Sequence, residues 1–348
     1  MLRRPARAWK WPRLRWPTLR VSPRVARILG FASWSYLAIA LAAAGLLWLF
    51  GDRWWLATVL LFGPRWPLLL PALPLFLAAA FFRPRLLAPV AIAALISLGP
   101  VMGWNPGLRR LLSSGAPRSV RLITFNVAGS RNPLASSIPK ALASFDADIL
   151  VFQECPAVLA EPSSWPAGWT ARAEASICLA SRWPLVSVRT DERVLTGQQG
   201  GTGTVVLFRL AAPADSIDVA VVHLETARKG LERLRYGMDI GSVTLNTLVR
   251  NVGSERAGRW IASQSPDAII AGDFNLPVES RIFRDHWSRC PDAFNTAGRG
   301  FGYTRVLPKF SIRIDHVLPC GNWRALSATI GPDVGSDHLP LIVDLRRR

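Results

Sequence analysis

The chain has 348 residues, of which 42 are Lys or Arg and 23 are Asp or Glu, giving a formal net charge of +19. Residues 1–117 carry 15 of the basic residues and one acidic residue, Asp52, whereas residues 118–348 are much closer to neutral. Because the basicity is concentrated in the N-terminal third, the net charge is not evidence for a nucleic-acid-binding surface on the remainder. The four cysteines have no C-x-x-C spacing, which argues against a zinc site.

The N-terminus combines a basic segment with a long apolar one. Residues 1–27 contain nine Lys or Arg, three Trp and no acidic residue, so we expect a flexible segment suited to membrane headgroups. The stretch from Ile28 to Phe50 has 23 residues without a charge, more than the roughly 20 that cross the hydrocarbon core. Both the apolar stretch and its basic leader are longer than in a signal peptide, which favours a retained transmembrane helix.

Two further apolar stretches extend the predicted membrane region to residue 104. Leu86 to Trp104 is uncharged and long enough to span, whereas Trp66 to Phe82 is shorter and is interrupted by two prolines. Apolar residues before it lengthen this second stretch, although Arg65 then lies inside it. We predict three transmembrane helices, at residues 28–50, 54–82 and 86–104, and two helices with a re-entrant piece remain an alternative.

The distribution of basic residues predicts the orientation. Nine positive charges precede the first span, and Arg83 and Arg85 separate the second from the third, which places both regions in the cytoplasm. Three crossings then deliver the C-terminal domain to the outer face of a bacterial-type inner or plasma membrane. Arg109 and Arg110, in the predicted linker 105–117, argue the other way, and an even number of spans would leave the domain in the cytoplasm.

Residues 118–348 have the pattern of one α/β domain. Short apolar, β-branched runs such as "VRLITFN", "DILVFQE", "VAVVHL" and "AIIAGDF" predict strands, and the polar stretch from Thr226 to Ser263 predicts helix. Many strands with a few interleaved helices indicate an α/β sandwich, and the domain is long enough for one such core.

Polar residues with ligand or proton-transfer chemistry stand at the ends of these predicted strands. Each one alone has an ordinary explanation as a turn former, a solvated strand end or a core imidazole. Their coincidence is not explained in that way, since two of the four histidines and several acids fall together at strand ends. The set comprises Asn126, Glu154, His223, Asp273, Asn275, Asp315, Asp337 and His338.

The order of these motifs resembles the endonuclease/exonuclease/phosphatase superfamily. Asn, Gln-Glu, His, Gly-Asp-Phe-Asn, Ile-Asp-His and Ser-Asp-His follow one another between Val120 and Leu345. That superfamily includes pancreatic deoxyribonuclease, base-excision-repair endonucleases, inositol polyphosphate 5-phosphatases and neutral sphingomyelinases. The resemblance implies a four-layer α/β sandwich, two packed sheets flanked by helices, for residues 118–348. Near the family's usual Thr-Trp-Pro the chain has Arg305 and Val306 instead, which changes a wall of the substrate site.

The resemblance also implies a metal site. Glu154 offers a hard carboxylate suited to Mg²⁺, with Mn²⁺ as an alternative. Asn126 would add a neutral oxygen or orient the ligands, and Asp337 is a further candidate ligand.

The remaining strand-end residues take catalytic roles by the same resemblance. Asp273 would hold or deprotonate the attacking water, and Asn275 would position that water or a phosphoryl oxygen. His338 would act on the phosphate, with Asp315 accepting a hydrogen bond from its other ring nitrogen. His223 would contact the scissile phosphate or protonate the leaving oxygen.

The sequence therefore predicts a membrane-anchored, divalent-metal-dependent hydrolase of phosphate esters. Its substrate is either a nucleic acid or a phospholipid headgroup, and a catalytically silent binding protein on the same scaffold is the alternative. His286 and His316 match no catalytic position and are read as structural. An outer location would permit a disulfide between Cys290 and Cys320, whereas Cys178 reads as a buried strand residue.

Overall fold

Apolar helices at the N-terminus pack onto an α/β sandwich. The computed structural model describes residues 21–108, 117–143, 145–191 and 203–347, so that most of the basic segment 1–27 and of the linker 105–117 lies outside the described residues. The apolar helices are α1 (Pro23–Gly45), α2 (Trp55–Phe62), α3 (Ala72–Phe82) and α4 (Leu87–Ile96).

The first helix begins five residues before the apolar stretch. Ser22 accepts a hydrogen bond from the backbone N–H of Val25, and Pro23 occupies the first helical turn, where its missing N–H costs nothing. Within the described residues, the helical stretches Pro23–Arg53 and Pro84–Val101 are long and apolar enough to span a membrane. The predicted second span is bent by 78° between Trp55–Phe62 and Trp66–Phe82. Up to three spans are present if this bent pair counts as one.

The C-terminal part alternates strands with short helices. Its helices are α5 (Ile138–Ala143), α6 (Arg228–Gly237), α7 (Ile240–Gln264), α8 (Arg281–Trp287) and α9 (Ala293–Ala297). Its strands are β1 (Val120–Asn126), β2 (Ile149–Gln153), β3 (Thr170–Glu174), β4 (Ile177–Ser181), β5 (Leu185–Thr190), β6 (Thr204–Ala211), β7 (Ser216–His223), β8 (Ile269–Asp273), β9 (Arg305–Leu307), β10 (Phe310–Ile312), β11 (Asp315–Pro319), β12 (Trp323–Ile330) and β13 (Leu341–Arg347).

Two mixed sheets pack face to face. In the described residues one sheet has the strand order β12-β13-β1-β2-β4-β3 and the other β11-β8-β7-β6-β5. Alternate side chains of both sheets, such as Leu122, Val151, Phe208 and Val221, form the central core. The outer face of the second sheet is covered by α7 and α8, and α5 covers that of the first. The predicted four-layer α/β sandwich is confirmed.

All four cysteines are paired. Cys290 and Cys320 form the disulfide that the sequence suggested. The second disulfide, Cys155–Cys178, was not predicted, because Cys178 lies within the buried strand β4 and reads there as an ordinary apolar residue. Paired cysteines are typical of proteins that fold in an oxidising compartment.

Both disulfides are expected in protein isolated without reductant. Intact mass should rise on reduction by four hydrogen atoms, and replacing Cys290 and Cys320 together by Ser should lower the free energy of unfolding by about 2–5 kcal/mol. Thermal unfolding in detergent micelles, followed by circular dichroism, measures the loss. Four free thiols in protein isolated without reductant would contradict the pairing.

A buried carboxylate joins the end of the first candidate span to the sandwich. Asp52 lies 3.1 Å from Nη1 of Arg250 in α7, and both side chains are almost fully buried. The same carboxylate accepts hydrogen bonds from Ser280 Oγ at 2.7 Å and from the backbone N–H of Arg281 at 2.9 Å. It thereby caps the N-terminus of α8, where free N–H groups and the helix dipole favour an anion.

A second buried pair lies at the other end of α2. Arg65, the interior charge of the predicted second span, lies 3.3 Å from the carboxylate of Glu279, and both side chains are buried. Its guanidinium also donates to the backbone carbonyls of Leu61 and Val101, which would otherwise lack partners at helix ends. We call the contacts of Asp52 and Arg65 with the sandwich the junction. They hold α2 against the domain at both ends.

Candidate active site

Three of the predicted residues lie side by side on the second sheet. His223 ends β7, Asp273 ends β8 and Asp315 begins β11, and the register pairs His223 with Asp273 and Asp273 with Asp315. Because neighbouring strands lie about 4.8 Å apart, register alone brings the three side chains into one row. His223 Nε2 is 3.9 Å from the nearest carboxylate oxygen of Asp273.

The first sheet contributes two residues that face this row. Asn126 is the last residue of β1, and Glu154 follows β2 with a φ of 49°, a left-handed conformation that is unusual for a residue with a side chain. The amide nitrogen of Asn126 donates to Asp273 at 3.0 Å and lies 3.3 Å from Glu154. Asn126 therefore connects the carboxylates of the two sheets.

His338 reaches the row from the loop that precedes β13. Its Nδ1 lies 2.8 Å from Asp315 Oδ2, and its Nε2 lies 3.8 Å from Asp273 Oδ2. Gly335 takes a φ of 88°, which only glycine adopts freely, and thereby turns the chain. Ser336 Oγ then donates to the backbone carbonyl of Asn126 and accepts the N–H of His338. The loop is therefore fixed on the same residue that links the two sheets.

The charges of these buried groups depend on one another. Burial opposes a charge on His338, but the carboxylates of Asp315 and Asp273 outweigh it and raise the pKa of His338 to about 9. Burial likewise opposes ionisation of Asp315, yet the imidazolium holds the pKa of Asp315 below its usual value. Burial and the negative charge of Asp315 raise the pKa of Asp273. The site thus contains a charged imidazolium beside an unusually basic carboxylate.

Comparisons with known proteins agree with this geometry. The model of the Endonuclease/Exonuclease/phosphatase family matches residues 123–338, a range that contains all the site residues described so far in this subsection. The chain belongs to this family. Its members include nucleases and phosphodiesterases that use divalent metals.

Solved structures of the family have the same fold. An endonuclease/exonuclease/phosphatase from Beutenbergia cavernae DSM 12333 is 16% identical, with a TM-score of 0.50 and coverage of 66% of this chain and 72% of that one. The D. rerio protein TDP2, humanized by 14 mutations, is 14% identical, with a TM-score of 0.50 and coverage of 65% and 98%. A comparison with curated protein sequences finds no match.

Asn275 lies next to Asp273, in the turn that follows β8. Its backbone N–H donates to Asp273 Oδ1 at 2.9 Å, and its amide nitrogen donates to the carbonyl of Leu224. The residue has a φ of 51°, so the turn after β8 is held in a left-handed conformation. Its side chain faces a groove that leads away from the site.

Asp337 is directed differently from the other predicted ligands. Its Oδ2 lies 2.9 Å from Nη2 of Arg305, and its side chain is 39% exposed. Arg305 is one of the two residues that the sequence predicts to change a wall of the substrate site, and this stays a prediction. Asp337 contacts none of the other acidic site residues by hydrogen bond or ion pair in the part of the chain that the structure describes.

Sequence reasoning missed two supporting residues. Arg131 lies 2.6 Å from Glu154 Oε2. Burial alone would raise the pKa of Glu154, but His223 and Arg131 outweigh this effect and hold that pKa below its usual value. Thr304 Oγ1 accepts the backbone N–H groups of Ile314 and Asp315, which orients the start of β11. Neither residue ends a predicted strand, so no pattern in the sequence marks them.

The donors of the site fit a divalent cation. Ligand atoms of Asp273, Asp315 and His338 lie within 4.8 Å of one another, and Asp315 Oδ1 is buried without a hydrogen-bond partner among the described residues. Nδ1 of His338 is bonded to Asp315, so that only Nε2 of its ring faces Asp273. Glu154 and Asp273 instead offer carboxylates on either side of Asn126, and such oxygen donors suit Mg²⁺.

The two remaining histidines lie outside this group. His316 is fully buried and contacts Asp292 and the carbonyl of Leu276, each at 2.8 Å. His286 lies 3.0 Å from the side-chain oxygen of Asn251 on the neighbouring α7. Both contacts are consistent with the structural roles expected from the sequence.

Proposed function

We propose that the protein is a membrane-anchored, Mg²⁺-dependent hydrolase of phosphate esters, with Mn²⁺ as an alternative ion. The observation that supports it is the placement of buried Asp273 beside His338 in one site, with His338 Nε2 3.8 Å from Asp273 Oδ2 and His338 Nδ1 bonded to Asp315. Hydrolysis requires both a proton acceptor for water and a donor toward the phosphoryl oxygens.

The residues divide this chemistry among them. Asp273 accepts a proton from the attacking water, and Asn126 holds the carboxylate in place. His338 Nε2 donates a hydrogen bond to a phosphoryl oxygen, because Nδ1 is already occupied by Asp315. His223 protonates the leaving oxygen. A cation held by Glu154, with Asn126 orienting that carboxylate and Asp337 as a further candidate, would neutralise charge on the phosphate.

Two features favour an extracytoplasmic catalytic domain. The residues that follow α1 contact α8, and Asn105, just after the 84–101 stretch, pairs with Gly300 of the sandwich, whereas the turn at Arg83 lies between α3 and α4. With three crossings the basic N-terminus and the catalytic domain lie on opposite sides of the membrane. The two disulfides agree with an oxidising compartment on the domain's side.

Metal removal tests the proposed function. The full chain in detergent micelles is expected to hydrolyse bis-p-nitrophenyl phosphate, to lose this activity in EDTA and to regain it with Mg²⁺ or Mn²⁺. Glu154→Gln should require at least tenfold more metal for half-maximal activity, since the carboxylate charge is lost. Glu174→Gln, on a partly exposed carboxylate of β3, is the matched control. Activity that persists unchanged in EDTA would contradict the proposal.

A further inference from the structure

A groove of about 380 Å³ leads away from the catalytic centre. Asn275 and Arg305 line its inner part, beside the residues that would hold the phosphate. Leu231, Leu307 and other apolar side chains, including the rings of Phe62 and Phe310, line the rest.

The membrane region contributes to the wall of this groove. Phe62, the last residue of α2, lines it together with residues of α6. Its ring lies 5.2 Å from the guanidinium of Arg250, the residue that pairs with Asp52. The groove therefore opens where the sandwich meets the apolar helices.

Arginines add charge to this apolar groove. Arg228 and Arg235 of α6 line it along with Arg305. The Arg228 side chain is 55% exposed and lies 3.8 Å from the carboxylate of Glu232, which also lines the groove, so three basic side chains stand there against one acidic one. Apolar walls combined with exposed basic side chains are typical of sites that bind at a lipid interface.

Helices α6 and α7 also present large apolar side chains to the solvent. Tyr236 and Met238 are 79% and 74% exposed, and Leu245 and Leu248 are 60% and 55% exposed. We call these four residues the α6–α7 surface. Leu248 lines a depression together with Asp52 and Arg53, at the end of the first candidate span. Leu248 therefore lies at the level where the membrane would begin, and Leu245 precedes it by one turn of α7.

Resting on the proposed function, we propose that the substrate is a lipid phosphate ester of the bilayer that anchors the chain. Its phosphate lies between Asp273 and His338, its apolar part lies along Leu231 and Phe62, and the α6–α7 surface enters the headgroup region. Water forms a bond to phosphorus, one ester P–O bond breaks, Asp273 takes a water proton and His223 supplies one to the leaving oxygen.

Comparing substrates with and without acyl chains tests this inference. The full protein is reconstituted into phosphatidylcholine vesicles and assayed with Mg²⁺. The substrates are short-chain phosphatidylglycerol and phosphatidic acid, their deacylated headgroups, plasmid DNA and bis-p-nitrophenyl phosphate. Because each buried methylene contributes to binding, kcat/KM should be at least tenfold higher for one acylated lipid than for its deacylated headgroup. The kcat/KM for this acylated lipid should also exceed the kcat/KM for DNA.

Variants test the two surfaces separately. Leu231→Ser is expected to lower the ratio of lipid to bis-p-nitrophenyl phosphate turnover by about tenfold. The double variant Tyr236→Asp, Met238→Asp should lower the same ratio by a similar factor through weaker contact with the vesicle. Val186→Asp, on an exposed residue of β5, is the control and should leave the ratio unchanged.

The outcomes separate this inference from the proposed function. Hydrolysis of bis-p-nitrophenyl phosphate or DNA without any gain from acyl chains overturns the lipid substrate and leaves the phosphate-ester hydrolase intact. Unchanged ratios in both groove and surface variants overturn it as well. Failure to hydrolyse any of the substrates with Mg²⁺ overturns both proposals.

Discussion

Replacing Asp273 by Asn is expected to lower kcat/KM on bis-p-nitrophenyl phosphate by about 10²–10⁴-fold, the scale of a lost general base. Asparagine keeps the shape of the side chain but cannot accept the proton of the attacking water. The negative charge beside Asp315 and His338 is also lost, so the imidazolium is less stable. His338→Gln should have an effect of similar size, because the donor toward the phosphoryl oxygen disappears.

A histidine outside the site provides the matched control. His286→Gln changes a half-buried imidazole that contacts Asn251, and it should leave kcat/KM within about twofold. Circular dichroism and the two disulfides report whether each variant has folded. Near-normal activity in folded Asp273→Asn or His338→Gln would disprove the roles assigned to these residues.

Replacing Asp52 by Ala is expected to lower the free energy of unfolding by about 3–5 kcal/mol, since Arg250 would remain buried without its partner. Loss of the carboxylate also removes the cap of α8 and the acceptor for Ser280. Thermal unfolding of the full chain in detergent micelles measures the effect. Activity should fall with it, because Phe62 lines the groove only while α2 lies against the sandwich.

The neighbouring residue supplies the comparison. Arg53 forms an ion pair with Asp285 in which the Arg53 side chain is 64% exposed, so Arg53→Ala should cost no more than about 1 kcal/mol. Equal stability of Asp52→Ala and Arg53→Ala would show that the junction is not a stabilising contact. In the double variant Asp52→Ala, Arg250→Met, part of the stability should return, because no charge is then left buried.

The site was predictable from the sequence because its residues end apolar strands. A run such as "AIIAGDFN" marks both the buried strand and the polar residues after it. Alternation along a strand determines which of its side chains share a face of the sheet. The order of the motifs then gave the family. Their mutual contacts needed the structure: Asn126 bonds Asp273 across 147 positions in the sequence, a pairing that depends on how the two sheets pack.

Other features had no local signal. The pairing of Asp52 with Arg250 joins positions 198 residues apart, and a single acid among apolar residues reads simply as a loop charge. Arg65 looked unfavourable inside a span because its partner, Glu279, belongs to another part of the chain. Cys178 read as a core residue because a half-cystine in a buried strand has the same neighbours as a small apolar residue.

In the membrane-anchored hydrolase proposed above, the junction would also determine where the enzyme works. With Asp52 and Arg65 fixed to the sandwich at both ends of α2, the catalytic centre stays at one height above the lipid surface. The catalytic centre therefore reaches substrate molecules in a thin layer parallel to the bilayer and not those in the surrounding volume. For such an enzyme the quantity that sets the rate is the number of substrate molecules per unit area of membrane, and lateral diffusion delivers them.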